Sequence, residues 1–146
     1  MTSSVRRSVA LSLAVVVDAS IVVKWLAHEP DSEPATRVIV DGGPLTAPDL
    51  LPVEVANVLW KKIRRGDMTT AELQPAITAL LALGIGLYQS TPLLSAAAHL
   101  AVTTGHPVYD CLYLALATDT GVALATADRR LQQTAHDIGV SLWTGL

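Results

Sequence analysis

The stretch VVVDAS, residues 15–20, decides how this 146-residue chain folds. Three β-branched valines in succession read as a buried strand of the kind that lies between layers of helix. Asp18 then ends the run. A buried, unpaired carboxylate costs several kcal/mol unless something compensates it. Asp18 therefore either caps the helix that follows or faces a place where a cation is expected.

Working outward, Leu13 to Val17 form strand one, and Ser20 opens a helix, SIVVKWLAHE, which stops before Pro30 because a residue preceding proline disfavours helix. A second helix is expected from about Asp31 to Val40, ending at Gly42 and Gly43, and PLTAP is a short extended piece. In DLLPVEVANVLWKKIRRG, Pro52 suits a first helical turn and Gly66 a helix end. Thr69 and Glu72 have the spacing of a capping box for TTAELQPAITALLALG, with Pro75 near its first turns. IGLYQST reads as strand three. PLLSAAAHLAVTTG and VYDCLYLALATDTG are helices closed by Gly105 and Gly121. VALAT is a buried strand, ADRRLQQTAHDIG a helix, and VSLW a last strand. This alternation predicts an α/β domain, a three-layer α/β/α sandwich around a mostly parallel sheet.

Before strand one, Arg6, Arg7 and the run Val9 to Val17 imitate a secretory signal, but no small-residue cleavage site follows cleanly. Residues 1–12 are read as a short disordered leader and residues 13–146 as a single domain. The sequence is 51% hydrophobic and 16% charged, with three Trp, three Tyr and no Phe, so aliphatic side chains build the core. No run reaches the length needed to span a membrane. The single cysteine, Cys111, reads as a small core residue in a reducing, cytoplasmic setting. A net charge of −3 argues against nucleic-acid binding through overall charge, but not against basic patches beside an acidic site.

Ligands of open parallel sheets bind beyond the carboxyl ends of the strands. Of the 13 acidic residues, four stand at such ends among apolar neighbours: Asp18 after strand one, Glu54 in PVEVA, Asp110 in VYDCL and Asp128 in ATADR. Each alone reads equally well as a helix cap or first-turn carboxylate. Two carboxylates about 4 Å apart repel by roughly 4 kcal/mol at an effective dielectric of 20. Several converging ones need a divalent cation or bound protons. Oxygen donors without His or Cys select Mg²⁺, with Mn²⁺ as a substitute, and such an ion is equipped for phosphoryl chemistry. The four histidines lack a metal-binding spacing. His99 and His106 read as a packed or solvated histidine and a loop residue. A phosphotransfer domain would need a late lysine, whereas the last one here is Lys62. A dehalogenase-like phosphatase would need an Asp where Ser20 stands.

The pieces VVVDASIVVKWL, LLPVEVANVLWK, HPVYDCLYLALA and ATADRRL, in this order, resemble the PIN-domain nucleases, and in particular the toxin ribonucleases of VapBC-type toxin–antitoxin pairs. The resemblance covers about residues 13 to 143. It implies a PIN-like fold with metal-binding, catalytic acids at Asp18, Glu54, Asp110 and Asp128. Ser20 and Thr126 match hydroxyl residues that orient carboxylates or water, while plain helix capping is the other reading of both. It further implies metal-dependent endoribonuclease activity leaving a 5′-phosphate, silencing by a cognate antitoxin, and a homodimer. The leader is longer than these proteins usually carry, and beyond Asp128 only Asp137 offers a further acid.

RNA needs positive contacts. Lys24, Lys61, Lys62, Arg64, Arg65, Arg129 and Arg130 are the candidates, with Arg129 expected nearest the acids. A solvated, cation-favouring helix end explains the KKIRR group equally well. Trp25, Leu26 and Trp60 read as core residues ahead of a dimer or antitoxin groove. The non-enzymatic alternative is a PIN-like module that only binds RNA or a protein partner.

Overall fold

Val15–Val17 form the central strand, β1, and all three side chains are buried. The computed structural model describes residues 14–27, 35, 37–39 and 43–143. The expected leader, the first residue of strand one, the end of the first helix beyond residue 27 and part of the second helix lie outside them. Ala35 and residues 37–39 are helical, in keeping with that second helix.

Among the described residues the remaining strands are β2 (Leu45–Pro48), β3 (Gly86–Tyr88) and β4 (Ala123–Ala125). They pair in the order β3-β2-β1-β4, and every pairing is parallel, with Val15 opposite both Leu45 and Ala123. The named helices are α1 (Ala19–Leu26), α2 (Leu51–Arg64), α3 (Leu73–Ala82), α4 (Leu94–Thr104), α5 (Val108–Thr120) and α6 (Arg129–Asp137). Parallel crossovers are right-handed. The steps from β1 to β3 therefore put their helices on one face, where α1, α2 and α3 pack together. The return from β3 to β4 puts α4 and α5 on the other. There α5 lies against β1, β2 and β4 with α4 outside it, so Cys111 to Ala117 are buried without a break.

The structure revises several local expectations. Asp18, rather than Ser20, starts α1: its carboxylate accepts the Ile21 N–H, which leaves Ala19 as the first helical residue. The helix also ends earlier than Pro30 requires, with the Ala27 N–H closing on the Val23 carbonyl. Thr69 does not form a capping box with the backbone. Its hydroxyl donates to Glu72 Oε1 at 3.0 Å, above a 3-10 turn over Thr70–Glu72, and α3 begins only at Leu73. Pro75 falls in the first turn of α3, where its missing N–H removes no helical bond. The expected last strand shrinks to one bridge, Leu142 to Leu124. Val140 is drawn away from it because its N–H closes the end of α6 on the Ala135 carbonyl at 2.8 Å.

Trp60 is 51% exposed and not in the core, because the buried stripe of α2 runs through Leu51, Val55 and Leu59. Arg64 lies over its ring, 5.5 Å from the centroid. Trp25 and Leu26 are partly buried against the core and also line an apolar groove of about 540 Å³ beside α3.

Candidate functional site

The chain reverses its direction of travel across the sheet between β1 and β4, and such a reversal opens a crevice at the carboxyl ends of the strands. Asp18 follows β1 there, and Asp128 follows β4 as the cap of α6. Glu54 lies in the first turn of α2 and Asp110 in the first turn of α5. All four acids named from the sequence thus come to one edge, and neighbouring pairs sense each other's charge: Asp18 with Glu54 and Asp128, and Asp110 with Glu54 and Asp128.

Asp18 is the buried member, only 6% exposed. Ser20 donates to its Oδ1 at 2.6 Å, the Ile21 N–H reaches the same oxygen at 3.2 Å, and the Thr126 hydroxyl donates to Oδ2. Both hydroxyls also accept from the loop after β4: Ser20 from the Ala127 N–H at 3.0 Å and Thr126 from the Asp128 N–H at 3.1 Å. Two small hydroxyls therefore lock the ends of β1 and β4 together through one carboxylate. For Asp18 the two readings, capping and site-building, coincide; Ser20 lies inside α1 and serves the carboxylate instead of capping the helix. Burial pushes the Asp18 carboxyl up to about 6 despite the hydrogen bonds that hold it down, and the Asp128 charge adds to the rise.

Glu54 is half-buried, and Tyr113 donates to its Oε1 at 2.7 Å. Burial raises its carboxyl above the usual range; the Tyr113 bond opposes this, and the charges of Asp110 and Asp18 reinforce it. Tyr113 is itself buried, and burial together with the Glu54 charge raises its phenol strongly, so it stays a donor. Asp110 is also raised by burial, opposed chiefly by His106. His106, expected as a plain loop residue, is buried and stands with Nδ1 3.8 Å from Asp110 Oδ2. Its Nε2 lies 2.6 Å from the Thr134 hydroxyl. That hydroxyl donates to the Arg130 carbonyl, so it accepts from His106 and holds the ring toward Asp110. Asp128 is exposed, and its Oδ1 accepts from the N–H groups of Arg130 and Leu131.

Tyr113 and His106 escaped the sequence reading. Tyr113 left one signal, standing three residues after Asp110 and so on the same face of α5.

The basic candidates separate into two groups. Lys61 shares an open cleft with Glu54, and Arg130 reaches the Gly105 carbonyl at 3.3 Å and acts on Asp110. Arg129, like Arg130, is exposed at the start of α6. Lys24 lies in the last turn of α1 and Lys62 in the last turn of α2. Arg64 stacks on Trp60 and Arg65 pairs with Asp67 at 3.3 Å. Both lie roughly 15 Å along the helix from Glu54.

The donors at this edge are all hard oxygens, which suits Mg²⁺ or Mn²⁺. Among the described residues, no three His, Cys, Asp or Glu side chains are gathered so that together they could hold an ion. The four carboxylates would therefore suit a cation that keeps part of its hydration shell, as Mg²⁺ commonly does. A divalent cation there would also offset the cost of ionising Asp18 where it is buried.

Known proteins place the chain. Residues 15–137 match the PIN domain family. A ribonuclease VapC3 from Pyrobaculum aerophilum is 35% identical over 123 residues, covering 83% of this chain and 94% of that one. A ribonuclease VapC3 from Mycobacterium tuberculosis is 33% identical over 128 residues, covering 86% and 92%. The crystal structure of PAE2754 from Pyrobaculum aerophilum superposes with a TM-score of 0.68 at 27% identity, covering 86% of this chain and 81% of that one.

Proposed function

Because the chain belongs to the PIN-domain family, we propose that it is a Mg²⁺-dependent endoribonuclease acting as the toxin of a toxin–antitoxin pair. The observation that carries this reading is the buried Asp18, held by Ser20, Thr126 and the Ile21 N–H at the reversal of the sheet and joined there by three more acids. The ribonuclease names of the relatives support it.

In this reading Asp18, Glu54, Asp110 and Asp128 would hold the Mg²⁺ together with its waters, and the bound ion would supply an acidified water and charge neutralisation at the phosphate. The chain's own part is to prepare that site. Ser20 and Thr126 fix the Asp18 carboxylate, Tyr113 fixes Glu54, and His106 faces Asp110. Lys61 and Arg130 hold RNA phosphates so that the scissile diester lies against the acids. Hydrolysis leaves a 5′-phosphate. The partners are RNA, a cognate antitoxin and a second copy of the chain, in the cytoplasm. Among the described residues no helix is long and apolar enough to cross a membrane.

A second reading, a PIN-like module that binds RNA or a protein without cutting it, draws on the lack of three gathered ligands among the described residues. One assay separates the two: antitoxin-free protein, total RNA, Mg²⁺ or Mn²⁺, and mapping of product ends. Discrete cuts bearing 5′-phosphates and abolished by chelator are expected. RNA left intact at every metal concentration would move the assignment to the binding module.

A further inference from the structure

We infer that the cleft between the starts of α1 and α5 and one face of α2 holds an unpaired nucleobase of the RNA beside the acids, an inference that rests on the ribonuclease reading. The cleft has a volume of about 470 Å³, within the range of small-ligand sites. It opens from the acidic edge itself: Glu54 lines it, as do Ala19, next to Asp18, and Tyr109, next to Asp110. Along α2 the wall is a single helical stripe that also carries Val53 and Val58, in which Asn57 stands three residues after Glu54 and Lys61 four after Asn57.

The chemistry of this wall selects its ligand. Tyr109 lines the cleft and is 52% exposed, so its aromatic ring is accessible to a ligand. Asn57 brings an amide that both donates and accepts, and Lys61 a point charge suited to a phosphate. A nucleobase matches all three, having apolar faces, polar edges and a charged backbone close by. An apolar peptide side chain would leave Asn57 and Lys61 unused. Bases in a duplex have their faces covered, so a stacking site here favours single-stranded or looped RNA. Tyr109 and Asn57 thereby become specificity-determining residues.

The test uses a fluorescent single-stranded RNA of about eight nucleotides and an abasic chain of the same length, with Ca²⁺ in place of Mg²⁺ to limit cutting. Wild type is expected to bind the base-bearing chain more tightly. Tyr109→Ala should weaken binding of that chain by roughly tenfold and leave the abasic chain nearly unchanged. Tyr109→Trp should retain the preference. Tyr109→Leu, apolar but not aromatic, should lose it with an unaltered unfolding midpoint. Equal losses on both chains, or none on either, would overturn the base site. Wild type that binds both chains equally would overturn the base site alone and leave the ribonuclease reading standing. Wild type that binds neither would contradict both.

Discussion

Asp18 and Asp128 face each other across the reversal of the sheet, and both accept backbone N–H groups at a helix start. Locally they are the same device. Their surroundings differ: Asp18 is buried beneath two hydroxyls, whereas Asp128 stands in solvent. An exposed cap needs no further explanation. A buried one carries a charge that capping does not require, and that surplus is what points to a cation. The pair shows that a cap seen in sequence and a site seen in structure are separated by burial, which only the tertiary fold sets.

The largest expected difference between the two is in activity. Asp18→Asn keeps a hydrogen-bonding group of the same size, yet RNA cleavage should fall by at least about 100-fold. Asp128→Asn should cost only about tenfold, because water can replace a solvated oxygen. Cleavage rates for the two proteins on one RNA check this, and equal losses would erase the contrast.

Stability in chelator should sharpen it in the opposite sense. Folded Asp18 keeps its proton to about pH 6, whereas its ordinary value is 3.8. Between those values the folded chain binds the extra proton, so the Asp18 contribution to stability is fully present below pH 4 and is lost as the pH rises through 6, on the order of 3 kcal/mol in all. Glu54 and Asp110 are shifted in the same direction and add to the slope. Denaturant titrations between pH 4 and 7 should show this fall in wild type and in Asp128→Asn, and a much flatter line in Asp18→Asn.

Smaller effects are expected further out. Tyr113→Phe removes the donor to Glu54 and little else; Mn²⁺ affinity, measured by calorimetry, should weaken about tenfold with little loss of stability. Lys61→Ala and Arg130→Ala should each lower the salt slope of RNA binding by about one. Arg64→Ala, whose side chain stacks on Trp60, should leave the slope unchanged.

The comparison also bears on what the sequence could reveal. Asp18, Glu54, Asp110 and Asp128 were legible because each interrupts or adjoins an apolar run at an element end, and the α/β alternation fixed which ends meet. Tyr113 and His106 were harder to read: both stand within one turn of Asp110, but the hydrogen-bond partners that fix them, Glu54 and Thr134, lie 59 and 28 residues away. Trp60 misled because bulk alone implies burial, while the period of α2 carries Leu59 inward and turns Trp60 out. The last strand failed for a different reason: VSLW has strand composition, but closing α6 claims the Val140 N–H.

The central claim is that the Asp18 carboxylate is buried in order to meet a divalent cation. Titrating Mn²⁺ into chelator-stripped wild type and Asp18→Asn while following the thermal unfolding midpoint tests it most directly. A saturable rise in wild type that is absent from Asp18→Asn is the expected result. The same rise in both proteins, or none in wild type, would contradict the claim and leave Asp18 as a cap alone.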